Sequence, residues 1–236
     1  MVSIKDLHKR YRKNEVLTGI DLEISKKGIF AILGPNGSGK TTLIKCVLGM
    51  VIPNKGLIMV DGTDIKKNAI YRKDIDYLPQ IANFPPNLKV KELIRMIKDL
   101  RPEPADDQTI IEKFELEPFL DKRLGDLSGG TKQKVNILLT FMFDSPLIIL
   151  DEPTTGLDPN ALITLKELID KEKQNGKTIL VSSHIMSFVE EVADEIVFLL
   201  EGKIYFKGSV EELKKNSNQS SLEHAIAHLL KPVEDV

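Results

Sequence analysis

The chain has 236 residues and a mass of 26.5 kDa; at 42% apolar and 29% charged it can bury a sizeable core and is too apolar for wholesale disorder. The 33 Lys and Arg against 35 Asp and Glu leave a net charge of −2, without the basic excess of a protein that lives on nucleic-acid binding. One cysteine excludes an internal disulfide and a cysteine metal cluster, and no run reaches the ~18 apolar residues that span a bilayer.

The single cysteine fits a reducing compartment. The opening MVSIKDLHKR lacks the apolar core of a signal peptide, so work at a membrane requires a partner that holds the chain there. Residues 2–7 and 16–24 alternate apolar and polar, the pattern of half-buried strands. Residues 29–33 are continuously apolar, a strand buried on both faces. A glycine-rich loop and an apolar helix over 41–48 follow. Residues 81–127 read as a small helical lobe inserted into the core. Val90, Leu93, Ile94 and Ile97 share a helix face, and Arg101-Pro102-Glu103-Pro104 breaks it. The Lys and Arg residues of 89–101 read as that helix's solvated face, and Cys46 reads as core packing.

An apolar helix runs from Ser128 to Phe143, and 147–150 is a buried strand. Asp158-Pro159 opens a helix that stops at Asn175-Gly176. Residues 178–182 form another buried strand and 185–193 a short helix. Residues 195–200 and 204–207 form a hairpin around Glu201-Gly202. A polar stretch, 214–221, precedes an amphipathic helix over 222–230. This alternation predicts an α/β fold, a mostly parallel sheet with helices on both faces.

Gly34-Pro35-Asn36-Gly37-Ser38-Gly39-Lys40-Thr41 fits G-x-x-x-x-G-K-[ST], between a buried strand and a helix, with Thr42 extending the phosphate-binding set. Glycines let backbone N–H groups turn inward around phosphate oxygens, and the helix N-terminus adds partial positive charge. Lys40 supplies a full charge to the β- and γ-phosphates, and the Thr41 hydroxyl can ligate Mg²⁺. This is the signature of a nucleoside triphosphate site. Leu147-Ile148-Ile149-Leu150-Asp151-Glu152 leaves two carboxylates at the end of a buried strand, where α/β sheets bind ligands. Side chains alternate along a strand, so the two should do different jobs. Asp151 suits the Mg²⁺ shell, directly or through water, and Glu152 suits deprotonating the attacking water. Taken alone, the pair could equally be solvated carboxylates opening a loop. Leu127-Ser128-Gly129-Gly130-Thr131-Lys132-Gln133 puts a serine cap and open N–H groups at a second helix start.

These motifs, in this order over about residues 1–210, resemble the nucleotide-binding subunit of an ATP-binding cassette (ABC) transporter. The resemblance implies a P-loop NTPase core (1–80 and 128–210) with an N-terminal antiparallel β subdomain, the inserted α-helical subdomain 81–127 and a C-terminal tail, 211–236. It implies a head-to-tail dimer of the chain around two ATP with Mg²⁺, in which Ser128, Gly129 and Gly130 bind the γ-phosphate held by the partner copy. Tyr11 sits where the family stacks an aromatic on adenine; packing of the tyrosine on its own sheet is the other reading. Gln80 matches the glutamine that approaches Mg²⁺ and the attacking water while coupling to the transport subunit. Asp158 matches the loop that crosses the dimer interface and can cap its own helix as well. His184 matches the histidine that contacts the γ-phosphate. One departure from the family is Thr131, where Gln usually follows Ser-Gly-Gly.

The function implied is ATP hydrolysis that powers a transmembrane permease from the cytoplasmic side, peripheral on the inner face of the cell membrane, with no nucleic-acid partner. Thr154 to Pro159 and Ser221-Leu222-Glu223-His224 look like exporters that pair this subunit with a separate permease. Residues 77–100, with Asn83-Phe84-Pro85-Pro86, resemble the ATPase of the copper-processing system for nitrous oxide reductase maturation. The rival is a soluble assembly factor such as the ABC-type ATPase of iron–sulfur cluster assembly. A DNA-repair or chromosome-structuring ATPase needs a long coiled coil, for which 81–127 is too short and too broken by Pro.

Overall fold

A computed structural model describes residues 1–24 and 27–230. The end of the tail, 231–236, therefore lies outside the described residues. The chain divides into two compact units, 1–71 with 180–236 and 72–179.

The first unit opens with a hairpin of β1 (Val2–Tyr11) and β2 (Asn14–Ile24), antiparallel from Val2 opposite Ile24 to Tyr11 opposite Asn14. Both strands run further than the alternation predicts, because the Arg12-Lys13 turn closes them directly; Arg12 takes the left-handed conformation (φ 55°) that a two-residue turn requires. β3 (Gly28–Leu33) is buried along its whole length, as its apolar run demands. α1 (Lys40–Val47) follows the glycine loop directly. Inside α1, burial pushes the Cys46 thiol up to about 11, consistent with an inert packing residue. β4 (Lys55–Val60) pairs antiparallel with β1, and β5 (Thr63–Asp64) extends the edge, giving a four-stranded sheet ordered β2-β1-β4-β5.

The second unit carries β6 (Ile75–Leu78), α2 (Val90–Leu100), α3 (Asp107–Lys113), α4 (Gly129–Phe141), β7 (Leu147–Asp151) and α5 (Pro159–Gln174). β6 and β7 are parallel, Ile75 opposite Leu147 through Leu78 opposite Leu150. α2 and α3 pack against α4, with Val90, Leu93, Ile94, Ile110 and Ile111 buried. Each of those side chains stabilises the unit by about 1.5–3 kcal/mol on burial. α5 begins and ends where its caps predict: Asp158 accepts from the Ala161 N–H, and Gly176 follows at φ 82°.

β8 (Thr178–Ser183) returns the chain to the first unit, where α6 (Met186–Val192), β9 (Glu195–Leu200), β10 (Lys203–Gly208), α7 (Val210–Ser217) and α8 (Leu222–Leu229) complete it. There β10, β9, β3 and β8 lie side by side in that order, β3 and β9 parallel and β10 turned antiparallel through Glu201-Gly202. The fold is α/β with largely parallel strands and a separate antiparallel sheet. The first half of the polar stretch 214–221 belongs to a helix, α7, that the sequence reading did not identify. Ser209 caps a helix there by accepting from the Glu212 N–H, and Val210 and Leu213 bury its one apolar edge. Two buried apolar residues in eight are too few to show as periodicity.

Arg101 also departs from the sequence reading. It does not belong to a solvated face: it closes α2 and turns inward, donating to Asp76 Oδ1 at 2.5 Å and to Ser145 Oγ at 3.2 Å, with its guanidinium 4.0 Å from the Phe143 ring centre. Asp76 is buried in β6, and that burial holds its carboxyl above the usual value, against the lowering pull of Arg101. A raised pKa in the folded state means that the stabilising contribution is complete below the ordinary 3.8 and is lost as pH rises through the raised value. Arg101→Ala strands the carboxylate, costs about 3–5 kcal/mol at neutral pH, and costs less in acid. Denaturation midpoints at neutral and acid pH check this; an equal deficit at both would contradict it.

Candidate functional site

In the first unit, β3 delivers the chain into Gly34–Thr42 and α1 takes it up at Lys40. The loop is tightly constrained. A Cβ on Gly34 would sit 2.1 Å from the Leu199 carbonyl oxygen and 2.7 Å from Ser38 Oγ. A Cβ on Gly39 (φ 109°) would come within 2.9 Å of the Val16 carbonyl and Leu17 Cδ2. At Gly37 (φ 83°) nothing would obstruct a side chain, so there the left-handed backbone alone selects glycine. The Lys40 ammonium folds back into the loop, donating to the Gly34 carbonyl at 2.8 Å and the Pro35 carbonyl at 3.3 Å. Ser38 Oγ is buried at the loop's turn without a hydrogen-bond partner among the described residues. An orphaned hydroxyl in a cradle that rejects Cβ atoms, with a lysine at its base, fits a bound polyphosphate.

Tyr11 ends β1, 45% exposed, with the Lys9 ammonium 4.8 Å from its ring centre. His184 is exposed just beyond β8, all six of whose residues are buried.

The second unit holds the other candidates. Asp151 is the last residue of β7 and Glu152 the first beyond it; they are 0% and 3% exposed. Strand alternation does not separate them, contrary to the sequence argument. Glu152 leaves the strand in the left-handed conformation, φ 51°, and that turn sets its direction. A bulky residue held at positive φ is a strained feature of the kind that clusters at functional sites. Burial, and secondly the negative charge of Asp151, push the Tyr77 hydroxyl up to about 12, so Tyr77 stays neutral beside that carboxylate.

Gln80 lies exposed past the end of β6. Ser128 is exposed and caps α4, accepting from the Thr131 N–H at 3.2 Å. Thr131, the departure at this loop, engages the same serine: the two hydroxyl oxygens are 2.8 Å apart. The turn at Gly130 abuts the segment beyond Glu152, since a Cβ on Gly130 would lie 2.7 Å from the Gly156 carbonyl. The Asp158 carboxyl is held below the usual carboxylate range, first by the Ala161 N–H and then by Lys134 at 3.0 Å.

Sequence reasoning missed Lys134 and two buried amides on α4, Gln133 and Asn136, which hold the backbone past the ends of β7 and β6. The signal was available as polar residues spaced three apart within an otherwise apolar helical stretch.

A strand–glycine loop–helix element and a parallel strand ending in two buried carboxylates define a P-loop nucleotide-binding protein of the α/β class. Residues 17–155 match the family model described as ABC transporter. The lantibiotic transport ATP-binding protein SrtF of Streptococcus pyogenes is 35% identical over 228 residues, covering 92% of this chain and 96% of SrtF. The Nod factor export ATP-binding protein I of Rhizobium etli is 31% identical over 90% of this chain and 69% of its own length. Among solved structures, an ATP-binding subunit of an ABC transporter superposes with a TM-score of 0.91 at 29% identity, covering 98% of this chain and all of that one. A dimeric ATP-binding cassette in a post-hydrolysis state, bound to ADP and phosphate, gives 0.80 at 25% identity over 89% of this chain and 99% of its own. The chain belongs to the ABC transporter family, as an ATP-binding subunit and an ATPase.

Proposed function

We propose that two copies of this chain close head to tail around two ATP and that the cycle of closing and hydrolysis drives a transmembrane permease, of exporter type. The observation that carries the ATP site is the Gly34–Thr42 cradle, with Ser38 Oγ orphaned and Lys40 folded onto the loop's own carbonyls. Lys40 transfers its hydrogen bonds from those carbonyls to the β- and γ-phosphate oxygens. Tyr11 stacks on adenine, and its exposed ring suits any flat base. Thr41, Asp151 and Gln80 would hold Mg²⁺, which neutralises charge on the phosphates. Glu152 accepts a proton from the attacking water, and His184 contacts the γ-phosphate. Ser128, Gly129 and Gly130 bind the nucleotide of the partner copy, and Asp158 meets that copy across the interface. The dimeric ATP-binding cassette with ADP and phosphate supports dimerisation, the lantibiotic transport relative supports transport, and the Nod factor export relative supports the export direction. Copper processing, suggested by the resemblance of residues 77–100, is a narrower form of the same proposal.

No helix among the described residues is long and apolar enough to cross a membrane. In this proposal a separate permease chain holds the ATPase on the inner face of the cell membrane. Affinity purification of the tagged protein from its own cells in mild detergent, with mass spectrometry, tests this. A polytopic membrane protein in stoichiometric amount is expected. Recovery of soluble scaffold proteins alone would replace the permease with an assembly system of the iron–sulfur kind.

A further inference from the structure

Helix α4 is largely apolar, yet Gln133, Asn136 and Thr140 on it are polar and buried. Spaced at i, i+3 and i+7, they share one face. The two amides donate to carbonyls outside the helix, while the Thr140 hydroxyl donates to the Asn136 carbonyl of its own helix at 2.9 Å. Gln133 Nε2 reaches the Pro153 carbonyl at 2.9 Å and Asn136 Nδ2 the Pro79 carbonyl at 3.0 Å. Asn136 Nδ2 also stands 3.5 Å from Gln133 Oε1, which links the two amides.

The two anchored carbonyls belong to particular peptides. Pro79 precedes Gln80, past the end of β6, and Pro153 follows Glu152, past the end of β7. Proline has no N–H of its own, so these carbonyls are the only backbone groups by which residues 79 and 153 can be held by hydrogen bonds. Glu152 stands at φ 51°, a conformation that persists only where the surroundings enforce it.

We infer that Gln133 and Asn136 are positioning residues for hydrolysis, an amide relay on α4 that holds the peptide beside Gln80 and the peptide beside Glu152 as one unit. The inference rests on the roles given above to Glu152 and Gln80. A displacement of the Gln80 segment then reaches the Glu152 segment through two side chains.

The test is steady-state ATP hydrolysis by the full chain for Gln133→Met, Asn136→Leu and the double variant, with ATP affinity measured separately and Glu152→Gln alongside. Each single variant is expected to lower kcat by about tenfold or more, the scale of a slightly displaced catalytic group, with ATP affinity and KM unchanged. The double variant is expected to be no slower than the worse single, because both break one relay. Gln133→Glu and Asn136→Asp keep the volume and lose the donor. They should behave alike, and they carry the measurement if the apolar variants do not fold. Unchanged kcat, a matching loss of ATP affinity, multiplication of the two losses, or unfolding of all four single variants would overturn the relay. Full hydrolysis by Glu152→Gln would overturn the reading of Glu152 and this inference with it. Loss of hydrolysis in Glu152→Gln with none in the amide variants would overturn the relay alone.

Discussion

Glu152→Gln is expected to lower ATP hydrolysis by about 10²–10⁴-fold while ATP binding persists. The amide has the size and reach of the carboxylate but is neutral, offers an NH2 donor in place of one acceptor oxygen and cannot take the proton. Glu152 is 3% exposed, and its backbone turn closes through the Thr155 N–H onto the Glu152 carbonyl at 3.3 Å. That turn does not involve the side chain, so the substitution removes the base without disturbing the strained backbone that aims it. Single-turnover phosphate release, with ATP affinity measured in parallel, checks this. A variant that still hydrolyses at the parent rate would remove Glu152 from the chemistry.

Lys40→Ala acts at the earlier step and weakens ATP binding itself. A hydrogen bond to a charged group contributes about 1.5–3 kcal/mol, so affinity should fall about 10- to 100-fold. Lys40→Arg should not restore affinity: a planar fork does not fit a buried loop already crowded by the Leu199 carbonyl and Ser38 Oγ. Calorimetric titration with ATP checks both variants. Parent-like affinity in Lys40→Ala would contradict the assignment of the loop.

The parts of the fold that could be read from sequence are those where one local pattern decides the outcome. Continuous apolar runs identified β3, β7 and β8, which are wholly buried. Cap residues placed the starts of α4 and α5, and Glu201-Gly202 placed the β9–β10 turn. The misreadings share a different physics. Arg101 looked solvated because a sequence shows its charge but not the buried Asp76 that claims it. α7 was missed because only two apolar residues, Val210 and Leu213, anchor it. Asp151 and Glu152 looked like alternating strand neighbours because nothing local announces that β7 stops between them. In the candidate site, the residues proposed to meet phosphate, metal or water belong to fixed motifs that the sequence displays. Residues acting through another side chain, such as Asn136 on the Pro79 carbonyl or Thr131 on Ser128 Oγ, become visible only when the partners are brought together.

The central claim is that ATP closes two copies of this chain around composite sites. Its most direct test is the light-scattering mass of Glu152→Gln with and without Mg-ATP. The account predicts a particle of one chain, 26.5 kDa, without nucleotide and about twice that mass with it. A mass that stays at one chain under saturating Mg-ATP would contradict it.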